Sequence, residues 1–587
     1  MSLQASTSRL VSRQLRSFAS LKPVPGPSSP LCSCTCSTAR SSSWTSRSRW
    51  QSTRFQSTST ASSSSLEGQS PLPEDHDIVI VGGGLVGLAL ANALSTSSIV
   101  QSAGTKVSLL EGSDLDKIAK WSMPPGKWSN RISSITNESQ RFLSDTGGWQ
   151  RLDASRTRAC EEMRVWDGLS GARIDFAAWD VSSAAVNGLA PEMSRFVENI
   201  NLQKALLTNL REHNNVEIID KTRVQDIAQG DLKSQGGWPI VKLENGRTIR
   251  ARLLVGADGA NSPVKNYSNI KTDGWAYDAH CLVGTLELEP SPLDTNTIAW
   301  QRFLPVGPVG FLPIADTYGS LAWSTKPHIA AALKKLDAER LTALINASFR
   351  LPWSSLSWLY QRLQTSPDTL LEDIAWRYSP ANLDRSTLPH EHSRVPPIVK
   401  TVHLDTCASF PLKLSHAQSY LGDTDVGGLP KRTVLIGDAA HTVHPMAGQG
   451  LNLGLGDAAS LFSTLETAIA EGADIGSKLS LNPYPRQRYL LNHTIMNVID
   501  KLHKLYAQEA KPIVWARSTG VEILNELPTL KGIMMGGAGG KTEKSSNARE
   551  AVWGGVAKAY EMASGARDIG GMLGRMAKNR IASALSK

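Results

Sequence analysis

Residues Asp77-Ile-Val-Ile-Val81 form an apolar, β-branched run that passes directly into Gly82-Gly-Gly84-Leu-Val-Gly87 and then Leu88-Ala-Leu-Ala-Asn-Ala-Leu94. The run has strand chemistry, the glycines turn chemistry, and the third segment the composition of a buried helix. A second strand-like run, Lys106-Val-Ser-Leu-Leu-Glu111, follows after a short loop. Strand, helix and strand in that order predict a parallel, right-handed crossover, and with it an α/β fold. Leu253-Leu-Val-Gly256 and Thr433-Val-Leu-Ile-Gly437 read as later strands of the same sheet.

The glycine spacing has a chemical reading. Gly82 permits the tight turn, Gly84 lets backbone approach a pyrophosphate, and Gly87 allows close strand–helix packing, with Ala91 one turn further on. Phosphates then meet the free N–H groups and positive dipole end of the helix. Glu111 closes the next strand, where an acid accepts ribose hydroxyls. An acid there disfavours a 2′-phosphate.

Two later segments repeat the strand-to-turn pattern. Gly256-Ala-Asp258-Gly259-Ala-Asn-Ser262 ends one strand. Gly437-Asp438-Ala-Ala-His441-Thr-Val-His444-Pro445-Met-Ala-Gly448-Gln-Gly450-Leu451-Asn452 ends another. Asp438 is expected to meet a sugar hydroxyl, and Asp258 a pyrophosphate-side group. Pro445, Gly448 and Gly450 form a turn into a helix whose N-terminus can stabilise an anion on a flavin ring.

These three motifs, in this order, resemble the aromatic-hydroxylase flavoprotein monooxygenases, the group that includes para-hydroxybenzoate hydroxylase. Within it, the block from Gly437 to Leu461 is similar to the ubiquinone-biosynthesis hydroxylases. So are Ser129-Asn130-Arg131-Ile-Ser-Ser-Ile135, Val197-Glu198-Asn199, Ala299-Trp300-Gln-Arg302-Phe-Leu-Pro305-Val-Gly-Pro308 and Phe410-Pro411-Leu412. The likeness runs from about residue 75 to 535, nearest to the family's mitochondrial branch.

The resemblance implies FAD, with Arg131 and Asp438 touching it and the substrate ring near Pro445. It implies hydroxylation of a polyprenylated 4-hydroxybenzoate or related phenol through an electrophilic flavin C4a-hydroperoxide, with O₂ as co-substrate. It further implies a ferredoxin and its reductase as electron donor, membership of a ubiquinone-synthesis complex, and a peripheral position on the matrix side of the inner membrane. No second dinucleotide fingerprint appears, yet hydroxylases of this group bind NADPH without one. No residue is assigned as acid or base. Lys265, where relatives often carry Arg, keeps a charge but loses a bidentate fork. Another flavoenzyme on this scaffold (an oxidase or prenyl reductase) and a non-catalytic prenyl-binding subunit stay open as alternatives.

The expected architecture is a Rossmann-type FAD-binding domain with a parallel sheet, interleaved with an antiparallel-sheet substrate domain and followed by a helical region. The FAD-binding part takes 74–155, 195–275 and 395–481, the substrate part 156–194 and 276–394, and the helical C-terminal region and tail 482–587. Residues 422–430 look like a loop extension. In the helical region Leu490, Met496, Val498, Ile499, Leu502 and Leu505 are spaced for a buried face. After the Gly536–Gly540 cluster, the basic residues Lys558, Arg567, Arg575, Lys578 and Arg580 read first as a solvated helix face.

Charge locates the remaining segment. The formal net charge is +9, and Arg9, Arg13, Arg16, Lys22, Arg40, Arg47, Arg49 and Arg54 precede the first acid, Glu67. A body so close to neutral has no reason to seek phosphate backbones, which sets nucleic acid aside. Ser- and Arg-rich, and free of acids up to residue 66, residues 1–73 have the composition of a mitochondrial transit peptide and leader, with a plain unstructured tail as the alternative. Cys32, Cys34 and Cys36 fall in it, whereas Cys160, Cys281 and Cys407 are scattered, without disulfide or metal-ligand spacing. His441 and His444 lack a third ligand nearby, so no metal site is expected.

Overall fold

The computed structural model describes residues 73–178, 192–231, 237–290, 296–379, 395–424, 428, 430–445 and 448–525. The leader up to residue 72, the Gly536–Gly540 cluster and the basic tail lie outside these, as does part of 422–430. Strands are numbered here in chain order.

The first sheet runs β8 (Val216–Ile219), β2 (Val107–Leu110), β1 (Glu74–Val81), β11 (Thr248–Gly256), β10 (Pro239–Leu243), β9 (Val224–Gln229), with β17 (Thr433–Leu435) also on β11. The β8, β2, β1, β11 and β17 pairings are parallel, and β9–β10–β11 are antiparallel. Ile78, Val79 and Ile80 are fully buried. That continuous apolar run is what a central parallel strand covered on both faces requires. Helix α1 (Leu85–Thr96) packs on it, and α2 (Asn199–His213) packs on α1.

The second sheet has eight strands, in the order β18 (His441–Thr442), β16 (Val399–Ala417), β12 (Thr272–Leu288), β15 (Tyr318–Thr325), β14 (Val309–Ala315), β13 (Ile298–Phe303), β5 (Glu162–Asp167), β6 (Arg173–Ala177). It is antiparallel except where β13 lies parallel to β5. Helices Pro327–Leu333, Ala338–Arg350, Trp353–Thr365 and Leu370–Tyr378 share a core with it, built round Phe311, Trp323 and Leu344. A third sheet joins β3 (Ile132–Thr136), β7 (Ser194–Glu198) and β4 (Thr157–Cys160).

Three helices close the described chain: α3 (Gly450–Ala470), α4 (Pro483–Tyr506) and α5 (Lys511–Asn525). The buried face of α4 differs from the one its apolar spacing predicts. Met496 and Ile499 are buried, but Leu490 is 72% exposed and Leu502 and Leu505 are 38% exposed. The inward side carries Tyr484, Arg488, Asn492 and Asp500 instead. Buried polar groups join Tyr484, Met496, Ile499 and Tyr506 in docking this helix. Among the described residues no helix is long and apolar enough to cross a membrane.

Candidate functional site

Val81, Gly256 and Leu435 lie side by side in the register of β1, β11 and β17. The three glycine turns therefore leave one sheet edge from the carboxyl ends of adjacent parallel strands, where open α/β sheets bind ligands. They also touch. A Cβ on Gly82, which has φ +111°, would sit 2.4 Å from the Ala257 carbonyl oxygen, and one on Gly437 would sit 3.2 Å from Val86. A Cβ on Gly87 would fall 2.0 Å from the Gly82 oxygen. Backbone fills these spaces, so only glycine fits at 82 and 87.

Gly84 is different. It caps α1 in extended backbone, φ −70° and ψ 179°, with no side-chain cap and no acid in the first turn. A Cβ there would meet nothing within 4 Å. The open space lies against uncapped N–H groups, which is the cradle a pyrophosphate needs. Glu111 adjoins it: Oε2 accepts from Gly83 N at 2.6 Å and Oε1 from Ser113 N at 2.8 Å. Its carboxylate thus shapes the loop, and each oxygen retains a second lone pair for a hydroxyl.

Asp258 accepts from Val264 N at 3.4 Å through Oδ2, while Oδ1 is buried without a hydrogen-bond partner. Burial pushes its carboxyl from 3.8 up to about 6. Gly259, at φ +80°, has open space beside it. Lys265 is buried too, donating to the Ala260 oxygen at 2.9 Å, and burial lowers its ammonium pKa. A raised carboxyl favours the folded state when protonated, so its contribution is complete below about 4 and is lost as pH rises through about 6. Urea midpoints of the FAD-free protein between pH 4 and 7 should show that loss, and Asp258→Asn should flatten it. Parallel profiles for the two proteins would refute the assignment.

At the third turn, Asp438 is exposed, in the single 3₁₀ turn Gly437–Ala439. Surrounding protein raises its carboxyl pKa. The open side chain is the better guide here: it is an accessible acceptor. Pro445 and Gly448 are exposed, and Gly448 N donates to the Pro445 oxygen at 2.9 Å. Gly450 and Leu451 then open α3, which lacks a side-chain cap and a first-turn acid. Asn452 is engaged by protein: Oδ1 accepts from Thr136 N at 3.0 Å, and Nδ2 donates to the Ser134 and Gly448 oxygens at 2.7 and 3.2 Å. Its geometry fits fixing the turn against β3 better than touching a cofactor. Arg131 precedes β3 with an exposed side chain.

Several positioning residues escape sequence reasoning. Gln203 of α2 donates to the Gly83 oxygen at 2.8 Å. Glu198 is buried, takes Ser129 N at 2.6 Å and Arg156 Nε at 2.5 Å, and so orders the segment leading to Arg131. Arg156 also stacks over Trp128 at 4.5 Å. His441 and His444 do not converge. His441 faces Asp457, whereas His444 packs edge-on to Tyr277 at 5.2 Å and near His503 at 4.8 Å, with burial depressing its pKa to about 3. Asp114, Asp116 and Asp220 cluster elsewhere, but Lys221 already pairs with the first two and Leu115 N with the third. Cys160 and Cys281 are buried thiols pushed to about 12.

The family model described as FAD binding domain matches residues 75–352 and 400–491. The mitochondrial ubiquinone biosynthesis monooxygenase COQ6 of Schizosaccharomyces pombe is 37% identical over 480 residues, covering 80% of this chain and 92% of that protein. This chain belongs to the ubiquinone biosynthesis monooxygenase family. The Saccharomyces cerevisiae member is 36% identical, covering 80% of this chain and 95% of its own, and the human member 34%, covering 78% and 91%. Among solved structures, p-nitrophenol 4-monooxygenase PnpA from Pseudomonas putida shares the fold, with TM-score 0.54 at 18% identity over 80% of this chain and all of that one. Membership makes the chain an FAD-dependent monooxygenase. The flavin supplies the oxygen-activating chemistry when bound; the protein must hold it, orient the substrate and exclude water.

Proposed function

We propose that this member hydroxylates the aromatic ring of a polyprenylated 4-hydroxybenzoate or phenol intermediate of ubiquinone biosynthesis. One observation carries the reading of the site: three turns from adjacent parallel strands meet at two uncapped helix N-termini, with an open cradle at Gly84. In this reading Gly82, Gly84 and Gly87 admit the pyrophosphate, and Glu111 and Asp438 accept sugar hydroxyls. Arg131, Asp258, Gly259 and Gly437 complete the nucleotide side, and Gly450 and Leu451 frame the flavin edge, with Asn452 holding that turn against β3. The ring lies near Pro445, Gly448 and Gly450, whose helix N-terminus stabilises negative charge on the reduced flavin.

The division into FAD-binding, substrate and helical parts is kept on the same terms, except that β16 (Val399–Ala417), expected in the FAD-binding part, pairs with β12 in the antiparallel sheet. We also propose reduction by a ferredoxin and its reductase, work within a ubiquinone-synthesis complex, and a peripheral place on the matrix face of the inner membrane; the relatives' mitochondrial names support the organelle. Flavin reduction by NADPH alone, as fast as with ferredoxin and its reductase present, would remove the donor proposal.

The test of the function is direct. Protein lacking residues 1–66 should purify yellow or turn yellow on adding FAD, and convert a prenylated 4-hydroxybenzoate or phenol, with reductant and O₂, to a product one oxygen heavier. FAD binding without oxygen insertion would leave the oxidase or reductase alternative.

A further inference from the structure

Beneath the Gly437–Asp438 turn lies one carboxylate facing four donors. Asp457 of α3 is fully buried. It accepts from Gly437 N at 3.1 Å, His441 Nε2 at 2.6 Å, Arg488 Nε at 3.0 Å and Asn492 Nδ2 at 2.9 Å. The first two donors belong to the segment that presents Asp438. The other two belong to α4. Arg488 extends the link by donating to the Leu453 oxygen at 3.1 Å, and Asn492 by donating to Tyr420 Oη at 3.1 Å.

Among the described residues the polar partners of Asp457 are a guanidinium, an imidazole, a side-chain amide and a backbone N–H, with no second acid beside it. These interactions hold its carboxyl at about 2 against the cost of burial. A buried charge of this kind is stable only with all its donors in place, so withdrawing those of α4 exposes those of the turn to rearrangement. The outward side of α4 is largely exposed, with Leu490 in water, so this network is a principal anchor for its middle turns.

We propose that Asp457 is a positioning residue that couples FAD occupancy to the docking of helix α4. FAD held at Asp438 fixes the Gly437–His441 segment; that segment fixes Asp457, and Asp457 fixes Arg488 and Asn492. Linkage makes the effect reciprocal: a loosened α4 weakens FAD binding by the factor by which FAD tightens α4. The inference rests on the assignment of Asp438 to the cofactor.

Amide hydrogen exchange across residues 484–499, with and without saturating FAD, reads the coupling. In the wild-type protein FAD should slow exchange there about tenfold or more, within the usual range of coupling between sites. Asp457→Asn, which keeps the shape and removes the charge, should weaken FAD binding by a similar factor and abolish the protection of α4. Wild-type α4 exchange indifferent to FAD, or an Asp457→Asn protein with unchanged affinity and protection, overturns the proposal. Should Asp457→Asn not fold, His441→Gln carries the same test with the same criteria. Asp438→Ala separates the two readings: it should weaken FAD binding without changing α4 exchange in the FAD-free protein. Wild-type affinity in Asp438→Ala would overturn the cofactor assignment alone, leaving the α4 measurements to judge Asp457.

Discussion

Gly84→Val should purify as a folded, colourless protein that no longer retains FAD. The residue sits in ordinary extended backbone, and a Cβ there meets nothing within 4 Å, so the FAD-free fold should tolerate it. Replacing glycine at a helix N-cap by an aliphatic residue costs at most about 1 kcal/mol. The isopropyl group would instead fill the cradle in front of α1, so FAD affinity should fall on the order of a hundredfold, equivalent to about 2.7 kcal/mol. Gly87→Ala provides the contrast. Its Cβ collides with the Gly82 oxygen at 2.0 Å, so it should lower the melting temperature of the FAD-free protein. A Gly84→Val protein that stays yellow through dialysis would show that the phosphates lie elsewhere.

Arg517→Met should cost about 3–5 kcal/mol of stability, as expected when one partner of a buried ion pair is removed. Arg517 and Asp167 are 2% and 1% exposed and bind in a two-pronged fashion, Nε to Oδ2 at 2.8 Å and Nη2 to Oδ1 at 3.0 Å. The guanidinium also donates to the Leu505 and Gln508 oxygens, tying α5, the end of α4 and strand β5 together. Asp167 would keep only Leu169 N and the Ser170 hydroxyl. Urea unfolding measures the loss. Adding Asp167→Asn should restore part of it, because the penalty belongs to the stranded carboxylate. A double variant no better than the single would assign the loss to packing instead.

How much of this was legible in the chain depends on the distance over which each feature is assembled. The turn from Val81 to Leu88 is local, and its strand, glycines and helix were readable in eighteen consecutive residues. Later strands at Leu253 and Thr433 announced themselves through apolar runs ending in glycine, and both joined β1's sheet. The strand order of the second sheet was not readable, because β5 pairs in parallel with β13, a strand far along the chain with other elements between them. The donors of Asp457 come from positions 437, 441, 488 and 492, a spacing that is no motif in sequence. For the same reason α4 was misread. Apolar periodicity marks Leu490 and Leu502, while the helix is seated by an arginine and an asparagine whose partners lie in other elements.

The first sheet sets the order in which the protein can be made. Its central strand β1 comes first in the folded chain, but Arg250 of its neighbour reaches back 175 residues to Asp75, and β17 arrives only at residue 433. Such non-local pairing is slow to form and leaves strand edges open while it waits. A chain delivered amino terminus first would hold Ile78–Ile80 without their β11 partners until residues 253–255 have emerged, and β11 without β17 until residue 433. In the proposed site the last turn is made from residues 437–450, so flavin loading would follow synthesis of the first 450 of 587 residues. Chains stopped short of residue 433 should accumulate as flavin-free, aggregation-prone fragments, however sound their first glycine turn.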